Sequence, residues 1–268
     1  MHGLERTWSD WVEMCALSIA NAVDRSQFEQ REKRYMEIVG RYDQASLQQL
    51  AKAFAQLVEC WDDRVTSGRF GDVLGSTFMM LDMGNAGTGQ FFTPYEVSRL
   101  MASMIMGDHK ALSGQIETRG FLRLMEPACG AGGMIIASAH AAHDAKINYQ
   151  QAMHVTAIDI DQRCVHMTYV QLSLLNIPAV VIHGNALTGE EWGHWYTPAH
   201  VLGGWATRLR QRDAVDAMLD VLTAPETVDT MAPAANADSV PVAVPAARQP
   251  ALSSAARRAA SAGQMTLF

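Results

Sequence analysis

Eight residues, Glu126-Pro127-Ala128-Cys129-Gly130-Ala131-Gly132-Gly133, constrain this chain more than any others. They stand between a short apolar run, Phe121 to Met125, and an Ala/Ile-rich segment from Gly132 to about Asp144. A strand, a glycine turn and a helix let the backbone bend sharply and approach a ligand where any Cβ would clash. Such a turn is also an ordinary strand-to-helix connection, and the next sixty residues narrow the choice. His154 to Ile158 reads as a second strand, and Asp161 can cap a helix whose Val165, Tyr169, Leu172 and Leu175 share a face. Ala179 to Ile182 reads as a third strand. Strands alternating with helices predict a parallel sheet with right-handed crossovers.

Asp159 ends the second strand, where a carboxylate can accept both ribose hydroxyls of an adenosine ligand or simply cap its own loop. Upstream, the apolar positions Trp8, Trp11, Val12, Cys15, Ala16, Ile19 and Val23 recur with helical spacing. A second such face is Leu47, Leu50, Ala51, Phe54, Leu57, Val58 and Trp61, with Ser46 and Gln49 as a capping-box start. Residues 67 to 93 are glycine-rich and predict a loop-rich connection with a short helix around Leu74 to Leu81. Thr93 can cap the next helix, with Pro94 in its first turn and Glu96 closing the box, and that helix runs to about Met106. Residues 190 to 222 read as helical or irregular, and Trp195 to Pro198 as an aromatic cover over the sheet edge or cleft. From about Ala224 the composition turns to Ala, Pro, Ser and Val, the signature of a disordered tail.

The net charge of -7 argues against a protein that coats nucleic acid by charge alone. Contact with DNA should then be salt-sensitive, weak on its own, or helped by a partner. The four cysteines form no CxxC pair, which fits a reducing cytoplasm better than a zinc ribbon or a disulfide framework. The first residues lack a signal-peptide core, and no stretch reaches the roughly 18 apolar residues of a membrane span. His140 and His143 share an HxxH spacing without a third ligand and read as a solvated helix face rather than a metal site. Cys129 has no base partner and reads as packing.

Glu126 to Gly133 resembles the (D/E)PACGSGG signature of adenine-N6 DNA methyltransferases, especially the modification subunits of type I restriction–modification systems. Gly89 to Pro94, GQFFTP, resembles the family's GQ(F/Y)(F/Y)TP element, and Phe70 to Leu81 resembles the segment just before it. The resemblance covers roughly residues 70 to 187, with Ala131 where the family has Ser. It implies a Rossmann-like α/β sheet that binds S-adenosylmethionine. Phe92, Thr93 and Pro94 would line the methionine pocket, Glu126 would lie near the amino group, Gly130 and Gly132 would pass beneath the cofactor, and Pro127 is counted with them among the cofactor-binding residues. Asp159 would hold the ribose, Ile160 would pack on the adenine, and Asn185 stands at the family's usual Asp position beside the adenine amino group. An Asn carbonyl can accept from N6 while its amide donates to N1.

The family's (N/D/S)PP(Y/F/W) loop, which holds the target amino group and stacks on the flipped base, has no counterpart here, and the chain contains no Pro-Pro. No catalytic residue can be named, and strands four to seven and a target-recognition domain are expected to be missing. Gln264-Met265-Thr266-Leu267-Phe268 resembles the QL(S/D)LF peptide that docks on the DNA polymerase sliding clamp. The expected organisation is a helical region over 1–66, a truncated methyltransferase-like α/β domain over 67–222, and a tail over 223–268 ending in that peptide. The expected partners are DNA, met with help from other subunits, and the sliding clamp; neither a membrane nor a metal is expected. Two functions stay open: an adenine methyltransferase acting with partners, and an inactive accessory module docked on the clamp.

Overall fold

A computed structural model describes residues 3–83, 92–223 and 265–266. Three helices come first: α1 (Leu4–Val23), α2 (Phe28–Val39) and α3 (Gln44–Thr66), with a 3-10 turn at Arg25–Gln27. Helix α1 packs on α2 on one side and on a helix of the sheet layer on the other. Burial therefore spreads beyond the single expected face and takes in Met14, Leu17 and Ala20. Helix α3 is capped by Asp43, whose carboxylate accepts from the Ser46 amide at 2.7 Å, and not by Ser46. An Asp with extended backbone one turn earlier satisfies the free amide equally well. Of the expected α3 face, Leu57 and Trp61 are buried while Val58 is exposed.

Next come α4 (Val73–Met80), α5 (Tyr95–Met106) and α6 (His109–Arg119). Pro94, not Thr93, takes the cap position of α5, and no side chain caps it. Helix α6 has no apolar periodicity to announce it; Asp108 caps it and Gly120, at φ 82°, ends it in the left-handed region. The sheet layer then alternates β1 (Leu122–Glu126), α7 (Gly133–Asp144), α8 (Tyr149–Ala152), β2 (Met153–Asp159), α9 (Gln162–Leu174) and β3 (Ala179–Asn185). Asp161 caps α9 through the Arg163 amide at 2.8 Å, and Val165, Tyr169, Leu172 and Leu175 are all buried.

Two features depart from what the sequence predicts. The third strand runs on to Asn185 and turns back into β4 (Glu190–Tyr196), antiparallel to β3. In sequence the segment reads as helical or irregular because an edge strand exposed on one side carries no apolar run: Glu190, Glu191 and Trp192 are exposed while Trp195 is buried. Beyond it lie α10 (Pro198–Leu202), capped by Thr197, and α11 (Trp205–Thr223). The second departure lies in the stretch expected to be a tail: Met265–Thr266 forms β5, parallel to β1, giving the sheet order β4-β3-β2-β1-β5. Gly84, Gly87, Gly89, Gln264, Leu267, Phe268 and residues 224–263 lie outside the described residues.

The core is continuous from the N-terminal helices to the sheet, running through Trp8, Leu17, Trp61, Phe78, Ile135 and Tyr169. Arg31 is the clearest tie between the two layers. It is buried, pairs with Asp24 at 2.8 Å, donates to the His194 carbonyl of β4 at 3.1 Å and lies over the Trp195 ring.

Candidate functional site

Strands β1, β2 and β3 are parallel, so Glu126, Asp159 and Asn185 come out together at the carboxyl edge of the sheet. Helix α7 begins directly after the glycine turn, which leaves backbone amides facing that edge. Gly130 sits at φ 54°, and a Cβ placed on it would meet the Phe92 ring at 3.0 Å. Gly132 sits at φ 92°, and a Cβ placed on it would lie 3.2 Å from the Thr168 hydroxyl, a tight contact. Both positions need glycine for conformation and for space.

The turn is held from behind. Asp159 accepts from the Gly130 amide at 2.8 Å and from the Asp161 amide at 2.8 Å. Thr168 donates to the Gly130 carbonyl at 2.8 Å. Gln171 donates to the Ala131 carbonyl at 2.7 Å and to Asp72 at 2.8 Å, and accepts from the Leu74 amide at 3.0 Å. Asp72 also caps α4 through Gly75 at 2.8 Å. Sequence reasoning does not find Asp72, Thr168 or Gln171. Asp72 is legible only as part of a resembling segment, and Gln171 is a lone polar residue on an apolar helix.

A cavity of about 90 Å³ lies against the turn, lined in part by Asp72, Phe92, Thr93, Ser98, Glu126 and Gly130. Glu126 is only 1% exposed. One of its oxygens accepts from the Ala128 amide at 3.2 Å, while Oε2 has no partner among the described residues. The buried Ser98 hydroxyl, on the same cavity, has none either. Burial, reinforced by the nearby Asp159 charge, pushes the Glu126 carboxyl up to about 8. Burial likewise raises Asp72 and Asp159, and it keeps the Cys129 thiol protonated.

Of the residues singled out by sequence, Phe92, Thr93, Glu126 and Gly130 line this cavity. Pro94 adjoins Thr93 at the start of α5, and Pro127 and Gly132 belong to the turn itself. Asp159 stands behind the turn, partly accessible, and Ile160 is 62% exposed beside it. Asn185 is farther along the edge, and its side-chain carbonyl accepts from Leu187 at 3.0 Å and Thr188 at 3.3 Å, closing the β3–β4 turn. His140 is buried, not solvated: it stacks on Phe70 with ring centroids 4.8 Å apart and lies 3.1 Å from the Tyr95 hydroxyl. No group of metal-ligating side chains forms among the described residues. No helix among them is long and apolar enough to cross a membrane.

The family model described as N-6 DNA methylase matches residues 67–217, more than half of the chain, and the chain belongs to that family. No curated protein gives a significant match. Three chains of solved structures do. One is a protein assigned to the class I S-adenosylmethionine-dependent methyltransferases of Listeria monocytogenes, at 13% identity and a TM-score of 0.37. The match covers 68% of this chain and 55% of that one.

Proposed function

We propose that the chain binds S-adenosylmethionine at the glycine turn and works as an adenine-N6 DNA methyltransferase component of the type I modification-subunit kind. The observation that carries the cofactor assignment is the unpartnered buried carboxyl oxygen of Glu126, with the unpartnered Ser98 hydroxyl on the same cavity. Buried polar atoms without partners are expensive, and a ligand ammonium would satisfy both. The Gly130 cradle, which a Cβ would fill, suits a ligand lying against the backbone. Membership of the N-6 DNA methylase family supports the same reading.

In this reading Glu126 and Ser98 hold the amino-acid end, with Phe92, Thr93 and Pro94 around it. Gly130 and Gly132 let the backbone pass beneath, and Pro127 stiffens the turn. Asp159 takes the ribose hydroxyls with the lone pairs its two amide bonds leave free. Ile160 covers one adenine face, and Asn185 offers its amide to the ring. When bound, the cofactor supplies an electrophilic methyl group. DNA is reached with the help of partner subunits, since the chain carries net charge -7.

One observation favours a second reading, an inactive accessory module docked on the sliding clamp through residues 264–268. The segment after β3 is a hairpin closed by Asn185, and it contains no (N/D/S)PP(Y/F/W) sequence to hold an adenine amino group. The two readings separate when the purified protein is incubated with methyl-tritiated cofactor and mixed DNA, with and without candidate partner subunits. Transfer to adenine that Asp159→Ala abolishes supports the enzyme. Cofactor binding without transfer in every mixture supports the accessory module.

A further inference from the structure

Helix α7 starts directly after the glycine turn, and a helix start of that kind is a ready place for an anion. In this chain the place is taken from within. The carboxylate of Asp72 is buried and stands between the first turns of α4 and α7. A Cβ on Gly75 would collide with its Oδ2, and one on Gly133 would lie 3.2 Å from it, a tight contact. The side chain is held through its other oxygen. Oδ1 accepts from the Gly75 amide at 2.8 Å and from Gln171 at 2.8 Å. Oδ2 is left on the side of Gly133, and Asp72, Gly133 and Glu126 line the same cavity.

The cavity thus carries two carboxyl groups, and none of its described lining residues is basic. Burial opposes the Asp72 charge, whereas two N–H donors and two helix starts favour it. A cation in the cavity completes that balance. A phosphate would meet a carboxylate at the very place where it needs amide donors.

We propose that Asp72 sets the ligand specificity of the glycine turn, excluding phosphate-bearing nucleotides and favouring a nucleoside that carries positive charge. The proposal rests on the cofactor assignment above and adds to it the residue that selects for charge. S-adenosylmethionine has a positive sulfur besides its ammonium group. S-adenosylhomocysteine lacks the methyl group and has a neutral sulfur, so the pair of ligands reads the charge preference directly.

Asp72→Asn keeps an oxygen for Gly75 and Gln171 and removes the charge. Parent and variant are titrated by calorimetry with S-adenosylmethionine, S-adenosylhomocysteine and ATP, with a thermal melt of each protein. The parent should bind S-adenosylmethionine, and should show no binding of ATP at roughly a hundredfold its dissociation constant for S-adenosylmethionine. In the variant the affinity ratio of S-adenosylmethionine to S-adenosylhomocysteine should fall roughly tenfold, the scale of one partly screened charge pair. A merely structural role for Asp72 would weaken both ligands alike and leave that ratio where it was. An unchanged ratio in a folded variant overturns the proposal and leaves the cofactor assignment standing. ATP bound by the parent within roughly tenfold of S-adenosylmethionine also overturns it, and this comparison decides alone if the variant does not fold. A parent that binds no S-adenosylmethionine overturns the cofactor assignment and the proposal together.

Discussion

The two ends of the carboxyl edge of the sheet are built on opposite principles. At the glycine turn between β1 and α7, polar groups are brought into a buried place and left incomplete, as with Glu126 Oε2 and Ser98 Oγ. At the β3–β4 hairpin the polar groups are spent on the fold. Asn185 closes the turn at the carboxyl edge. At the open, opposite end of the hairpin Thr197 accepts from the Ala179 amide at 2.9 Å and donates to the Ile177 carbonyl at 2.8 Å, and between them Arg31 ties β4 to the N-terminal helices. Incomplete hydrogen bonding costs stability, so a fold keeps it where a ligand completes it. On the proposed function, ligand binding belongs to the first region and support to the second, and substitutions in each should separate the two roles.

The largest effect on stability belongs to the support region. Arg31→Ala leaves Asp24 buried without its counter-charge and should destabilise the fold by about 3–5 kcal/mol. Chemical denaturation measures this, and the cofactor affinity of the remaining folded protein should stay unchanged. The largest effect on binding belongs to the turn. Gly130→Val puts a branched side chain at φ 54° against the Phe92 ring, and a left-handed backbone alone costs about 1–2 kcal/mol. Calorimetry should detect no cofactor binding by a variant that still melts cooperatively.

Glu126 gives a prediction in pH. Its carboxyl is raised from 4.5 to about 8, so between those values the folded chain keeps a proton that the unfolded chain has lost. Its stabilising contribution is therefore full below pH 4.5 and lost as pH rises through about 8. Asp72 and Asp159, also raised, act in the same direction at their own positions. The melting temperature of the parent should fall across this range, and Glu126→Gln should flatten the fall. A cationic ligand favours the carboxylate, so binding at neutral pH should release protons, read by calorimetry in buffers of different ionisation enthalpy. Asn185→Ala should do least: loss of the turn contacts costs about 1 kcal/mol, with only a few-fold loss of cofactor affinity. A loss as large as that caused by Gly130→Val would move the hairpin from support to binding.

The same contrast explains what can be read from the sequence. The glycine turn, the strand ending at Asp159 and the face of α9 are legible because each rests on local chemistry: positive φ, a capping carboxylate, an apolar period. The β3–β4 hairpin is not, because Glu190, Glu191 and Trp192 face out and an edge strand needs no apolar run. Helix α6 is hidden for the same reason, with Leu112 its one buried residue. The clamp behind the turn is illegible as well. Asp72 and Gln171 are separated by 99 residues, and nothing local to either announces that they meet. His140 misleads because a His one turn from another suggests a polar face, whereas Phe70 and Tyr95 close over it.

The central claim is that the glycine turn binds the methyl donor. Calorimetric titration of the parent and of Asp159→Ala with S-adenosylmethionine tests it most directly, with a thermal melt of each protein alongside. The account predicts one site per chain in the parent and an affinity at least about tenfold lower in the variant, the scale of a lost hydrogen bond to a charged group. Equal affinity in two folded proteins would contradict it.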